Sequence, residues 1–146
     1  VDFKSIPCFI EASDSKTLEC IQSLALSISE KVYMLSSYDR KYLHLSAVFA
    51  CNFVNHCYEI AAEILHQHDI PFEVLQSLID ETARKIHMLS PRDAQTGPAV
   101  RYDKNVIEAQ LNLLADSPLW QEIYETMSES IHRTAITNKS NRYDKL

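Results

Sequence analysis

Five polar residues, Asn52, Asn55, His56, Glu59 and Glu63, recur at three- and four-residue steps inside an otherwise apolar run, LSAVFACNFVNHCYEIAAEIL, residues 45–65. That spacing places them on one narrow face of a helix. Asn52 and His56 stand one turn apart. They can hold a substrate carboxylate or carbonyl, with Asn55 beside them and the His56 imidazole as proton donor. The plainer alternative is a stripe that faces water or a partner subunit. His56 with Glu59 or Glu63 has helical metal-ligand spacing, but no second cluster supplies further ligands, so no metal site is expected.

A second constellation is Gln95, Thr96, Gly97, Pro98, Arg101 and Asp103. Gly97 is the single glycine of the chain, and glycine permits positive φ or close backbone approach. Free amides and the Thr96 hydroxyl ahead of a helix start can meet an anion, to which Arg101 adds charge. The alternative is a helix-terminating turn with a surface Arg–Asp pair. His44, His66 and His68 read as a packed histidine and two surface residues.

A single glycine also excludes chemistry. A dinucleotide fingerprint needs three glycines and a P-loop two. The nucleophile elbow is excluded in the same way. No cofactor-binding residue is therefore expected in this chain.

Composition narrows the remaining classes. With 146 residues, 46% hydrophobic and 23% charged, the chain suits one compact domain or one domain plus a fragment. A net charge of −6 leaves no basic footprint for nucleic acid or an anionic membrane. Two carboxylates, a histidine and two asparagines within 45–65 argue against a membrane span. Cys8, Cys20, Cys51 and Cys57 form no CxxC pair and read as reduced thiols, which implies a cytoplasmic setting.

The elements that must position these residues follow from periodicity. Pro7–Ala12 and Lys31–Leu35 are short apolar runs, candidate strands. Between them Leu18, Ile21, Leu24, Ala25 and Ile28 repeat at helical spacing behind the capping run Ser13–Ser15. Strand, helix, strand in this length is a βαβ unit that buries too little to stand alone. It reads as the closing edge of a larger α/β domain. From Ser36 the pattern is helical. Ser36 and Asp39 have capping-box spacing ahead of a helix from Asp39 to about His68. That helix is apolar on most sides, so packing on several flanks is expected. Pro71 opens a helix from Phe72 to about Leu89, whose wet side carries Glu73, Asp80, Glu81, Arg84 and Lys85. A short turn follows at Ser90–Asp93, and Ala94–Asp103 is the least helical segment. Asp103 caps a helix over Lys104–Ala115. A last helix runs from Pro118 to about Thr134, and 138–146 reads as a flexible polar tail.

The segments LHLSAVFACNFVNHCYEIAAEIL, PFEVLQSLIDETARKIH and SPRDAQTGPAVRYD resemble a family of uncharacterised proteins. These pair an N-terminal Rossmann NADP-binding domain with a C-terminal domain of unknown function (DUF2520). That domain is similar to the helical dimerisation domain of the 6-phosphogluconate dehydrogenase and pyrroline-5-carboxylate reductase superfamily. The opening IPCFIEAS resembles the end of the family's Rossmann domain. The resemblance implies a mainly α fold: 1–37 a closing βαβ remnant, 38–137 a helical C-terminal domain, 138–146 a tail. In 6-phosphogluconate dehydrogenases the corresponding helix carries a catalytic lysine followed by His-Asn. Here Asn52 stands near that lysine and Asn55-His56 reverses the pair, so lysine chemistry does not carry over.

Two functions are therefore expected. One is the substrate-binding and dimerisation part of an NAD(P)-dependent oxidoreductase whose NADP or NAD sits on a preceding domain, the chain alone being inactive. The other is a non-catalytic helical dimerisation or interaction domain. Either way a two-fold homodimer is expected, built mainly from the helices of Tyr42–Leu89 and Val106–Ile131.

Overall fold

The computed structural model describes residues 2–143. The protein is mainly α-helical, with one two-stranded parallel sheet near its N-terminus. The residues form two compact units, Val1–Glu59 and Ile60–Leu146.

In the first unit, strand β1 (Cys8–Ile10) connects through helix α1 (Ser15–Ile28) to strand β2 (Val32–Met34). The strands pair in parallel, Cys8 against Val32 and Ile10 against Met34, which is the βαβ unit that the two apolar runs predict. Of the capping run, Asp14 makes the cap. Its carboxylate accepts the Thr17 N–H at 2.9 Å and the Thr17 hydroxyl at 2.7 Å. The Thr17 backbone bond, foremost, holds the Asp14 carboxyl below the usual carboxylate range. At the other end of α1, Ser29 is only 2% exposed. Its hydroxyl donates to the Ile6 carbonyl at 2.5 Å and accepts the Lys31 N–H at 3.0 Å. One buried side chain thus ties the approach to β1 to the approach to β2. Ile10 and Ala25 are the enclosed apolar side chains of this unit.

Helix α2 (Ser37–Ala47) opens on the capping box read from Ser36 and Asp39. The Asp39 N–H donates to Ser36 Oγ at 3.0 Å, and the Ser36 hydroxyl donates to Asp39 Oδ2 at 2.6 Å. Ser37 fastens this helix start to the end of β1 by donating its hydroxyl to Glu11 Oε2 at 2.5 Å. That bond is the main reason the Glu11 carboxyl is held below the usual range. A depressed folded value means stability that is present above the unfolded pKa and lost as pH falls through the folded one.

The chain is helical from Ser37 to His66, but not uniformly α. Between α2 and α3 (Val54–His66), the six residues Val48–Phe53 are π-helical. The expected packing on several flanks is not found. Phe49 is 63% and Phe53 50% exposed, and Cys51 and Cys57 are exposed as well. No element of the first unit covers that face. Phe49 and Phe53 instead shelter each other edge to face, with ring centres 4.9 Å apart.

In the second unit, the helix predicted from Phe72 to Leu89 is broken into a 3-10 turn (Phe72–Leu75) and helix α4 (Gln76–Lys85). Asp69, at φ 56°, and Pro71 turn the chain ahead of it. Ser90 caps the short α5 (Pro91–Ala94), accepting the Asp93 N–H at 3.2 Å. The segment expected to be least helical holds a further turn, α6 (Pro98–Arg101), with Pro98 at its first position. Two left-handed residues bound it: Gly97 at φ 110° and Tyr102 at φ 55°. Asp103 then caps α7 (Lys104–Leu113), and α8 (Pro118–Tyr143) runs past the predicted end near Thr134. Of the tail expected over 138–146, the backbone to Tyr143 belongs to α8, and 144–146 lie outside the described residues.

Helix α6 packs on α8 and α7. Ala99 is enclosed there, and the Tyr102 ring stacks on His132 with centres 4.1 Å apart. Gln121 closes α7 against α8 by donating its amide to the Leu111 carbonyl at 2.7 Å. Among the described residues, no helix is long and apolar enough to cross a membrane.

Two substitutions test these contacts. Ser29→Ala leaves the Ile6 carbonyl and the Lys31 N–H without their buried partner, and is expected to cost about 1–3 kcal/mol in urea unfolding. A loss below the error of the melt would show that Ser29 does not join the strands. His132→Phe keeps the stacked ring and removes Nδ1, which is enclosed and has no hydrogen-bond partner among the described residues. It is expected to raise stability by about 1 kcal/mol. A drop of that size would show that Nδ1 is paired in solution.

Candidate functional site

The first sequence-derived group lies at the junction of the π-helical segment and α3. Asn52 is on the π turn, and Asn55 and His56 are on the first turn of α3. All three are exposed. His56 Nδ1 lies 2.9 Å from Glu59 Oε2, so the carboxylate orients the imidazole and leaves Nε2 outward. With side-chain exposures of 52% and 75%, this pair is a surface contact that adds little to stability. Its effect is to fix which edge of the ring faces out. The wider turn of a π-helix means that Asn52 and His56 are not related as on a regular α-helix. Such turns concentrate at functional sites, because the extra residue re-aims the side chains around it.

The second group is in the other unit. Gln95 and Thr96 line a cavity of about 230 Å³ bounded by α4 and α5. Thr82 and Lys85 face the same space, one turn apart on α4. Ile86, Pro91 and Ala94 form its apolar wall. Gly97 follows as the N-cap of α6, and an added Cβ there would meet nothing within 4 Å. Its φ, not crowding, is what calls for glycine. Arg101 ends α6, is exposed, and forms no ion pair with Asp103. Asp103 is engaged instead as the cap of α7, accepting the Val106 N–H at 3.4 Å.

The structure therefore gathers Gln95 and Thr96 with Thr82 and Lys85, and gathers Asn52, Asn55 and His56 separately. Sequence reasoning assigned Lys85 to the wet side of its helix and passed over Thr82. The three-residue step between them was the available signal, since it places both on one face. The Tyr102 stack was not legible. Lys104 Nζ also lies 5.3 Å from the centre of that ring. Among the described residues no group of three or more His, Cys, Asp or Glu side chains is placed to hold a metal ion.

Comparison with known proteins gives the chain its relatives. A protein of Bacteroides fragilis described as a "putative NADP oxidoreductase" has a solved structure that matches with a TM-score of 0.85 and 54% identity. The match covers 91% of this chain and 51% of that one. A Thermotoga maritima protein matches with a TM-score of 0.74 at 23% identity, over 86% of this chain and 52% of its own, and shows the shared fold. The chain thus spans about half the length of these solved relatives. No curated protein matches it. The family described as "Domain of unknown function (DUF2520)" matches residues 6–131, and the chain belongs to that family.

Proposed function

We propose that this chain is the substrate-binding and dimerisation part of an NAD(P)-dependent oxidoreductase. The observation that carries this reading is the 54% identity, over 91% of the chain, to a protein described as a "putative NADP oxidoreductase" and about twice as long. NADP or NAD then sits on a preceding Rossmann domain. Residues 1–37 supply the closing βαβ edge of that domain, and the helical domain runs from 38 through α8 to Tyr143. The parallel pairing of β1 and β2 supports this, because a two-stranded parallel sheet is too small to be stable by itself. In this reading the protein works in the cytoplasm.

Within the helical part, His56 is the proton donor to a carbonyl or imine as hydride arrives, with Asn52 and Asn55 orienting the substrate. The Glu59 carboxylate on Nδ1 suits that role, since it orients the ring and leaves Nε2 to donate. Gln95, Thr96, Gly97 and Arg101 hold an anionic group of the substrate, from the same subunit or from its partner. No lysine takes part at Asn52, and no metal is invoked.

Dimerisation rests on a separate observation. Tyr38, Tyr42, Leu45, Phe49 and Phe53 recur at three- and four-residue steps along one helix face, each at least 50% exposed. An apolar stripe of this length marks an interaction surface. A second copy, related by a two-fold axis, is the simplest occupant.

Two experiments test the reading. The full-length protein is expected to bind NADPH and to oxidise it with a member of a carbonyl and imine panel. His56→Asn is expected to lower that turnover by about a hundredfold or more while leaving NADPH affinity unchanged. Full turnover in the variant would remove His56 from the chemistry, and absence of NADPH binding would leave the non-catalytic dimerisation domain as the better reading. Light scattering is expected to give a dimer mass, and Phe49→Glu with Phe53→Glu to give a monomer. A monomeric wild type would overturn the dimer.

A further inference from the structure

We infer that the cavity between α4 and α5 is a binding site for a small acid, a carboxylate or phosphate monoester that also carries a hydroxyl or amine. Lys85 is its charge-bearing residue. The inference rests on the oxidoreductase reading only for regarding that acid as substrate; binding itself does not depend on it.

The lining dictates the ligand. Lys85 is half-buried at the end of α4, and among the described residues no carboxylate pairs with it. Its neighbour Arg84 is already taken by Glu81, which accepts two of its N–H groups at 2.9 and 2.6 Å. Lys85, which lines the cavity, therefore keeps its N–H donors for a ligand there. Thr96 adds a hydroxyl that no side-chain bond engages. Together they match an anionic oxygen pair.

Thr82 imposes the opposite demand. Its single hydroxyl proton is donated to the Leu78 carbonyl at 2.8 Å. Toward the cavity it can only accept, so the ligand must offer it an O–H or N–H. Gln95 donates one amide proton to the Thr96 carbonyl at 3.1 Å, which fixes the amide and leaves its oxygen as a further acceptor. The wall of Ile86, Pro91 and Ala94 takes a short carbon skeleton.

Size settles the class. The cavity is about 230 Å³, below the roughly 300–1,000 Å³ of sites that enclose drug-sized ligands. A small acid matches that size. Lys85 stands at a helix C-terminus, where a cation is favoured for structural reasons as well. That role does not account for Thr82, Gln95 and Thr96 lining the same space.

The test is calorimetry on the full-length protein with glycerate, glycerol 3-phosphate and glycerol as probes, read alongside the amide resonances of Thr82 and Thr96. At least one of the two acids is expected to bind and shift both resonances, and glycerol to do neither. Preference for glycerate assigns a carboxylate ligand, and preference for glycerol 3-phosphate a phosphate monoester. Lys85→Met is expected to weaken binding about tenfold or more, with Lys85→Arg restoring most of it. Lys104→Met, which removes a cation outside the cavity, is expected to leave affinity unchanged. Equal binding by Lys85→Met, equal binding of glycerol, or no shift at Thr82 and Thr96 with either acid would overturn the site. Because none of these readouts needs NADPH or turnover, loss of this site and loss of the oxidoreductase reading are separable.

Discussion

Ile10, Ala25 and Ala99 are the apolar side chains enclosed among the described residues, while Phe3, Leu24, Tyr38, Phe49, Leu78, Leu113 and Leu119 are each more than 60% exposed or close to it. Fully burying one such large side chain is worth about 1.5–3 kcal/mol. Marginal stability leaves no room to forgo that many. The described residues nevertheless leave much of their apolar surface uncovered. The long helix shows the consequence: Tyr38 pairs with Tyr42 and Phe49 with Phe53, neighbours on the same helix standing in for a missing opposite wall.

Local polar bonds hold each unit where apolar packing is thin. Asp14, Ser36, Ser90 and Asp103 each accept a backbone N–H at a helix start. A cap of this kind is worth about 1 kcal/mol and needs no core. Ser29 does the same for the parallel strands, and Gln121 for the pairing of α7 with α8. This division of labour bears on function. Ser90, for example, sets where α5 begins, just ahead of Gln95 and Thr96 at the cavity. His56 and its asparagines sit exposed on the long helix instead.

The left-handed residues add a further constraint. Gly97 and Tyr102 bound the single turn of α6. Glycine adopts its φ at little cost, whereas tyrosine does so against steric resistance. Stacking on His132 at 4.1 Å is the compensation the structure provides.

Legibility in the sequence follows the range of the forces involved. The strand and helix segments of the βαβ opening and the capping roles of Ser36 and Asp103 depend on neighbours within a few residues, so spacing alone determined them. One glycine likewise sufficed to exclude a dinucleotide fingerprint. The π-helical segment was not legible, because three- and four-residue spacing does not distinguish a π turn from the α-helix on either side of it. Lys85 read as a solvated charge, since its meeting with Thr96 spans a turn, a short helix and a loop that no periodicity encodes. Tyr102 read as an ordinary residue before a helix, because its left-handed backbone is decided by the His132 ring on α8, thirty positions away. The apolar residues of the long helix announced that they would be buried, and only the tertiary structure showed Phe49 and Phe53 left exposed: burial is a property of what stands opposite, and composition records only one side of that contact.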